Sequence, residues 1–309
     1  MALTTEVDTT ATVTRPGRRK LRPSPGADRA ASRLRHQRGI TRWVLLTLLA
    51  VATLATLFPF AMAAINAIKT VEDYTAHGPL GLPRSFDLTA IKDFWQNVDY
   101  TNKLLNSILI SASVAVLGTV ISVLNAYAIG IGRIKARNAL LVLLLLATTI
   151  PQEALIYPLY YLAKAVGLYD TKLVVIIISA VLSSAFGTYL LASVLSAFPS
   201  EILEAARIDG AGRWQVLRHV VVPVIRPTLM VLMTFFFIWT WNDFFLPLIM
   251  LVSNGNQTVS VALGSLQGQY TSSPTSLAAA SLMGILPAVV FFLIFQRTLT
   301  RGAVAGAVK

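Results

Sequence analysis

Long runs without a charged side chain decide what this chain can be. Residues 43–68 lie between Arg42 and Lys69 with no charge, 104–132 between Lys103 and Arg133, and 173–200 between Lys172 and Glu201. Each exceeds the roughly 20 apolar residues that cross a bilayer as a helix. Residues 138–163 form another apolar stretch, interrupted only by Glu153. No charge appears from 244 to 296, but the middle of that run, 253–276, is rich in Ser, Thr, Gly, Asn and Gln. It therefore splits into the end of one span, about 227–251, and a further span, about 277–296. The pattern predicts an all-α membrane protein with six transmembrane helices. Composition agrees: 13% of residues are charged, against about a quarter in soluble domains.

An even number of spans puts both termini on one side, and Lys and Arg choose the side. Of the 26 basic residues, 20 fall in the N-terminal tail, the loop around Arg133–Arg137, the loop 201–226 and the C-terminal tail. The other face carries Lys69, Arg84, Lys92, Lys103, Lys164 and Lys172. Both termini are therefore cytoplasmic, and the net charge of +12 is a topological signal that calls for no nucleic acid. The tail 1–41, without apolar periodicity, reads as disordered. Residues 42–300 read as the membrane domain and 301–309 as a short cytoplasmic tail.

Much chemistry is excluded. There is no cysteine, so no thiol nucleophile and no cysteine metal site. His36, His77 and His219 fit no metal-ligand spacing. No G-x-x-x-x-G-K-[ST] occurs, so the chain has no P-loop for ATP. Only Glu153 and Asp243 are ionisable within the spans, few for a proton-coupled carrier. Active transport by this chain calls for energy from another subunit.

The loop joining the fourth and fifth spans, 200–227, has the pattern of two short helices around a glycine. Ser200 can cap the first helix, with Glu201 and Glu204 at its positive end. Gly210 supplies a backbone conformation that other residues resist. Pro223 and Pro227 are expected to stop the second helix as the chain re-enters the membrane. Ile202, Leu203, Ala206, Trp214, Val216 and Leu217 make the loop apolar for a solvated connector and suit it to docking a cytoplasmic partner.

Glu204-Ala205-Ala206, followed by Asp209-Gly210-Ala211 and Pro223, resembles the EAA loop of ABC importer permeases, most closely the maltose-type, carbohydrate-uptake branch. Ala126-Tyr127-Ala128, Ile150-Pro151, Trp241-Asn242-Asp243-Phe244 and Ser265-Leu266-Gln267-Gly268-Gln269-Tyr270 look like that branch too. The resemblance covers roughly 43–309 and departs little, with Ala303 and Val304 replacing more common residues near the end. It implies a type I ABC importer permease fold, multi-pass in a bacterial cell membrane. It also implies a second six-span permease, two ATPase subunits holding ATP and Mg, and an extracytoplasmic solute-binding protein that delivers sugar. This chain would then bind no cofactor and hydrolyse nothing. Glu204 would pair with a basic residue in the ATPase cleft, Gly210 would form the turn, and the outward loop 253–276 would reach toward the binding protein.

Four residues are candidates for substrate contact. Glu153 lies between Pro151 and Pro158 and, as an intramembrane acid, is expected to face the pore or outer vestibule. Trp239, Asn242 and Asp243 share one helical face by spacing. An aromatic face with amide and carboxylate tips suits sugar C–H bonds and hydroxyls, although tryptophan also belongs to the membrane-interface belt. The competing readings are a permease for peptides or other small solutes, and a stand-alone secondary carrier.

Overall fold

A computed structural model describes the backbone of residues 25–132, 134–269 and 273–307, and the side chains of 41–132, 134–264 and 273–296. Among these residues all regular structure is helical. Five helices are long and apolar enough to cross a membrane. A sixth span is formed if the bent pair Arg137–Thr149 and Gln152–Ala165, at 93° to each other, counts as one.

The chain divides into two units, 1–58 and 59–309. The described part of the first is helical and belongs to α1 (Pro25–Ala67). This helix begins well before residue 42, so the second half of the stretch expected to be disordered is helical here; residues 1–24 lie outside the described set. Trp43, Leu48, Leu49 and Leu54 are all more than 60% exposed, a surface suited to lipid rather than water.

The second unit is built around α4 (Tyr100–Gly130), α7 (Lys172–Ser196) and α10 (Val222–Asn242). Small residues let these helices approach closely, as packing inside a bilayer requires. A Cβ on Gly187 of α7 would collide with Ser122 Oγ of α4 and stand 2.8 Å from Phe236 Cζ of α10. Gly118 faces the same Phe236 ring. Below this point Ala126, Leu191, Leu195, Leu217, Val221 and Leu229 form one buried cluster. Above it Ile110, Val114, Val175, Leu246 and Met250 form a second.

Two spans differ from expectation. The third breaks between α5 (Arg137–Thr149) and α6 (Gln152–Ala165). Ile150 is extended, at ψ 122°, the conformation that a following proline favours. Pro158 sits inside α6 without ending it. The fifth span is one helix over Arg213–Asn242, starting earlier than 227. It ends before Asp243, and α11 (Phe245–Met250) follows as a separate short helix. The stretch 253–276 is also less loop-like than its composition suggests. It contains α12 (Val259–Gln269), whose Val259, Val261 and Ala262 are buried. The last span belongs to α13 (Pro274–Ala307).

On the outer side, α2 (Val71–His77) and α3 (Thr89–Asn97) follow α1. The fully buried ammonium of Lys69 is satisfied by Asn66 Oδ1 at 2.9 Å and the Gly78 carbonyl at 3.1 Å, as a buried charge requires. A larger polar knot fixes the turn at Asn254–Asn256. Lys103 donates to Asn254, Asn102 and Asn106 donate to the Gly255 carbonyl, and Lys172 donates to Asn106 Oδ1. Asp170, between α6 and α7, accepts from the Ser253 N–H at 3.0 Å and from the Ser253 hydroxyl.

Those bonds, the hydroxyl first, hold the Asp170 carboxyl below the ordinary carboxylate range. A depressed native pKa stabilises the fold fully above the unfolded value of about 3.9 and loses that contribution as pH falls through the native value. The thermal midpoint of the purified protein is therefore expected to drop more steeply below about pH 4 in the wild type than in Asp170→Asn. Parallel curves for the two proteins would show that the knot carries no linked proton.

Orientation has a clean probe, because the chain has no native cysteine. Ser85 and Ser200 are both exposed and lie on opposite sides of the expected membrane. A cysteine replacing Ser85 should react with an impermeant maleimide on intact cells, and one replacing Ser200 should not. Labelling of the second from outside would invert the topology.

Candidate functional site

The cytoplasmic loop is a helical hairpin. Its first arm is α8 (Ser200–Ile208), and Ser200 is the first helical residue, preceded by Pro199 with no side-chain cap. Asp209 ends the helix, and Gly210 turns it at φ +76°. The Gly210 N–H bonds the Arg207 carbonyl and the Ala211 N–H bonds the Ala206 carbonyl, both at 3.0 Å. This paired pattern around a left-handed glycine closes helix ends efficiently. No atom lies within 4 Å of where a Gly210 Cβ would stand, so glycine is required by φ alone, not by space.

The EAA triplet faces two ways. Ala206 is buried in the cytoplasmic core cluster, which fixes the arm, while Glu204 and Ala205 are exposed. Leu203, Val216 and Leu217 also turn inward, so they explain part of the loop's apolar character as ordinary core. Trp214 and Ile208 remain outward, at 63% and 86% exposure. Ile208, next to the turn, was not singled out by the sequence reading.

The second arm begins at α9 (Arg213–Gln215). Gln215 Oε1 accepts the Gly212 N–H at 2.8 Å, and the Tyr127 hydroxyl of α4 donates to the Arg213 carbonyl at 2.9 Å. Pro223 and Pro227 do not stop this helix, contrary to expectation. The segment Val216–Val221 is wound as a π-helix and runs straight into α10, with Pro223 in its first turn. Proline lacks the N–H and crowds the carbonyl four residues back; the wider turn accommodates both defects.

A cavity of about 730 Å³ opens where the third span breaks. Its walls come from the α5–α6 break, from Ser179, Ser183 and Phe186 of α7, and from the end of α10. Trp239, Asn242 and Asp243 all line it, although only the first two stand on the helix whose spacing suggested a shared face. Asp243 does so from just beyond the helix end, in an extended conformation. Gln152 Nε2 donates to Asp243 Oδ2 at 3.1 Å, and the Leu246 N–H donates to Asp243 Oδ1 at 3.4 Å. The Ser260 hydroxyl donates to the Asp243 carbonyl at 2.7 Å, tying the outer segment to the same residue. Trp239 packs edge-on to Phe186 with centroids 5.1 Å apart, yet stays 46% exposed.

Glu153 is exposed and does not line this cavity; Gln152 does. The helix restarts at Gln152 after Pro151, and the next residue is turned about 100° away. Gln152 is not among the residues that the sequence points to for substrate contact. Its signal was a long polar side chain immediately after the proline in an apolar run.

A family model for binding-protein-dependent transport system inner membrane components matches residues 118–302. The chain is 32% identical to a putative ABC transporter permease of Streptomyces antibioticus, over 74% of its own length and 100% of the relative. It is 30% identical to the trehalose transport system permease protein SugB of Mycobacterium tuberculosis, over 88% of the chain and 98% of the relative. It is 28% identical to the lactose transport system permease protein LacG of Rhizobium radiobacter, covering 85% and 94% of the two. Among solved structures, a bacterial ABC transporter involved in the import of the acidic polysaccharide alginate superposes with a TM-score of 0.71, at 21% identity, over 84% of this chain and 96% of that one. The six-span frame, the helical hairpin with its left-handed glycine and the match over most of the membrane domain place this chain among the inner membrane components of binding-protein-dependent ABC importers.

Proposed function

We propose that this permease subunit conducts sugar, and that the cavity at the broken third span is where its share of the path meets the substrate. The observation that carries the reading is the convergence of Trp239, Asn242 and Asp243, from the end of one span, on the break in another. Apolar lining with a few convergent polar groups is the usual form of a small-molecule site. Relatives named for lactose, trehalose, and melibiose, raffinose and stachyose support the substrate class.

In this reading the chain forms half the pore with a second six-span permease. Two ATPase subunits, holding ATP and Mg, dock on the hairpin of α8 and α9. Glu204 supplies the charge for a basic site on the ATPase, Gly210 sets the angle between the arms, and Ala205, Asp209, Ala211 and Pro223 shape the surface around them. An extracytoplasmic binding protein delivers sugar near the segment 253–276. Side chains 265–272 of that segment lie outside the described residues.

The test is uptake by the assembled importer in proteoliposomes. Trp239→Ala and Asp243→Ala should each lower uptake at limiting sugar by about tenfold, the loss of one good contact, with subunit assembly unchanged. Normal uptake in both and in the double variant would remove the cavity from the path.

A further inference from the structure

We propose that this cavity is a charge filter: it admits uncharged and amino sugars and rejects anionic ones such as uronates. The proposal rests on the sugar reading above and adds which sugars pass. Among the described residues lining the cavity none is Lys, Arg or His, and Asp243 is the one charged residue. A second acid, Glu153, stands exposed beside the lining residue Gln152 on the first turn of α6. In a recess walled by apolar helices, fields of one sign are focused rather than screened.

Hydrogen bonding points the same way. The cavity offers neutral donors and acceptors together, and its lining includes a carboxylate but no cationic donor. Asp243 accepts from the Gln152 amide and the Leu246 N–H and faces the cavity as its carboxylate. Asn242 donates one of its two amide N–H groups to the Ile238 carbonyl at 2.8 Å, which leaves the other N–H and the amide oxygen for a ligand. Thr148 and Thr149 donate their hydroxyl protons back to Leu145 and Leu146, so they too offer acceptors. The Ser179 hydroxyl is buried with no hydrogen-bond partner, and it can serve a ligand in either role. A polyol brings many O–H donors and fits this set. A carboxylate would lie near Asp243 with no lining cation to offset the like charge.

The experiment uses the assembled importer in nanodiscs, with tryptophan fluorescence as the readout and the difference between wild type and Trp239→Phe identifying the Trp239 signal. The neutral probes are glucose, raffinose and maltotriose; the anionic probes are glucuronate and trigalacturonate. Anionic probes should need at least about tenfold higher concentration than neutral ones of equal length, a gap set by like-charge repulsion at low effective dielectric. The gap should narrow in Asp243→Asn and in Glu153→Gln, and shrink with added salt. Equal response to neutral and anionic probes in the wild type overturns the filter while leaving the sugar reading standing. So does a gap that both variants leave unchanged. If no sugar of either kind alters the Trp239 signal, the sugar reading itself fails, and the filter falls with it.

Discussion

Replacing Gly210 with valine is expected to leave the six spans inserted and to abolish stimulated ATP hydrolysis in the assembled importer. The residue sits at φ +76° in open space, so the penalty is conformational: about 1–2 kcal/mol for any L-residue there, and more for a β-branched one. The turn relieves that cost by rotating toward negative φ, which swings α9 away from α8. Gly210→Asn is the informative control, because asparagine visits the left-handed region far more readily. Asparagine should retain most of the activity that valine loses. Equal failure of both would point to a missing contact rather than to a required angle. Glu204→Lys complements the pair: the side chain is exposed, so the fold should be untouched. Co-purification of the ATPase should fall at least about tenfold if a basic site receives that carboxylate. Full assembly and full stimulation in Gly210→Val and Glu204→Lys would show that the hairpin is not the transmission element.

The second large effect is expected at Gly187, where α4, α7 and α10 meet. Gly187→Val should yield little folded protein, because the added atoms collide with Ser122 and press on Phe236. Overpacking of a tight core costs about 1–3 kcal/mol and often more when the obstacle is a neighbouring helix. Gly187→Ala should fold with a lowered thermal midpoint. Combining it with Ser122→Gly should recover part of the loss, since that change removes both the Ser122 Oγ and Ser122 Cβ obstacles. An unaltered midpoint in Gly187→Ala would mean that the helices are not held at this distance.

Much of the frame is written locally and could be read from the chain alone. Lys103 in the first turn of α4 and Arg133 beyond its end bound its uncharged stretch, as Lys172 and Glu201 bound that of α7, because a charge ends the stretch a bilayer will hold. The glycine turn was equally legible, since no other residue suits that backbone. What a proline does was not. Pro151, Pro158, Pro223 and Pro227 all lie in apolar runs, yet only Pro151 coincides with a sharp break. The outcome depends on whether neighbouring structure compensates for the lost bond, as the wide turn before Pro223 does. Partnerships across the sequence were hidden for the same reason. Gln152 meets Asp243 across 91 positions and Lys103 meets Asn254 across 151, and no local pattern marks either pair. The polar composition of 253–276 misled in its own way, since Ser and Gly are as much at home in a closely packed helix as in a loop.

The unbroken helix from Arg213 to Asn242 has a mechanical consequence. Its 30 residues make a rod about 45 Å long, with one end in the cytoplasmic hairpin and the other at the mouth of the cavity. Beyond the wide turn at Val216–Val221 the rod continues unbroken as α10, so a tilt imposed at Val222 is delivered to Trp239 and Asn242. Compliance is confined to the wide turn at Val216–Val221, close to the driven end. A small change in winding there sweeps the far end through a much larger arc. Pro223, in the first turn beyond that wide segment, thus stands at the pivot of the arc rather than at the place where the helix stops.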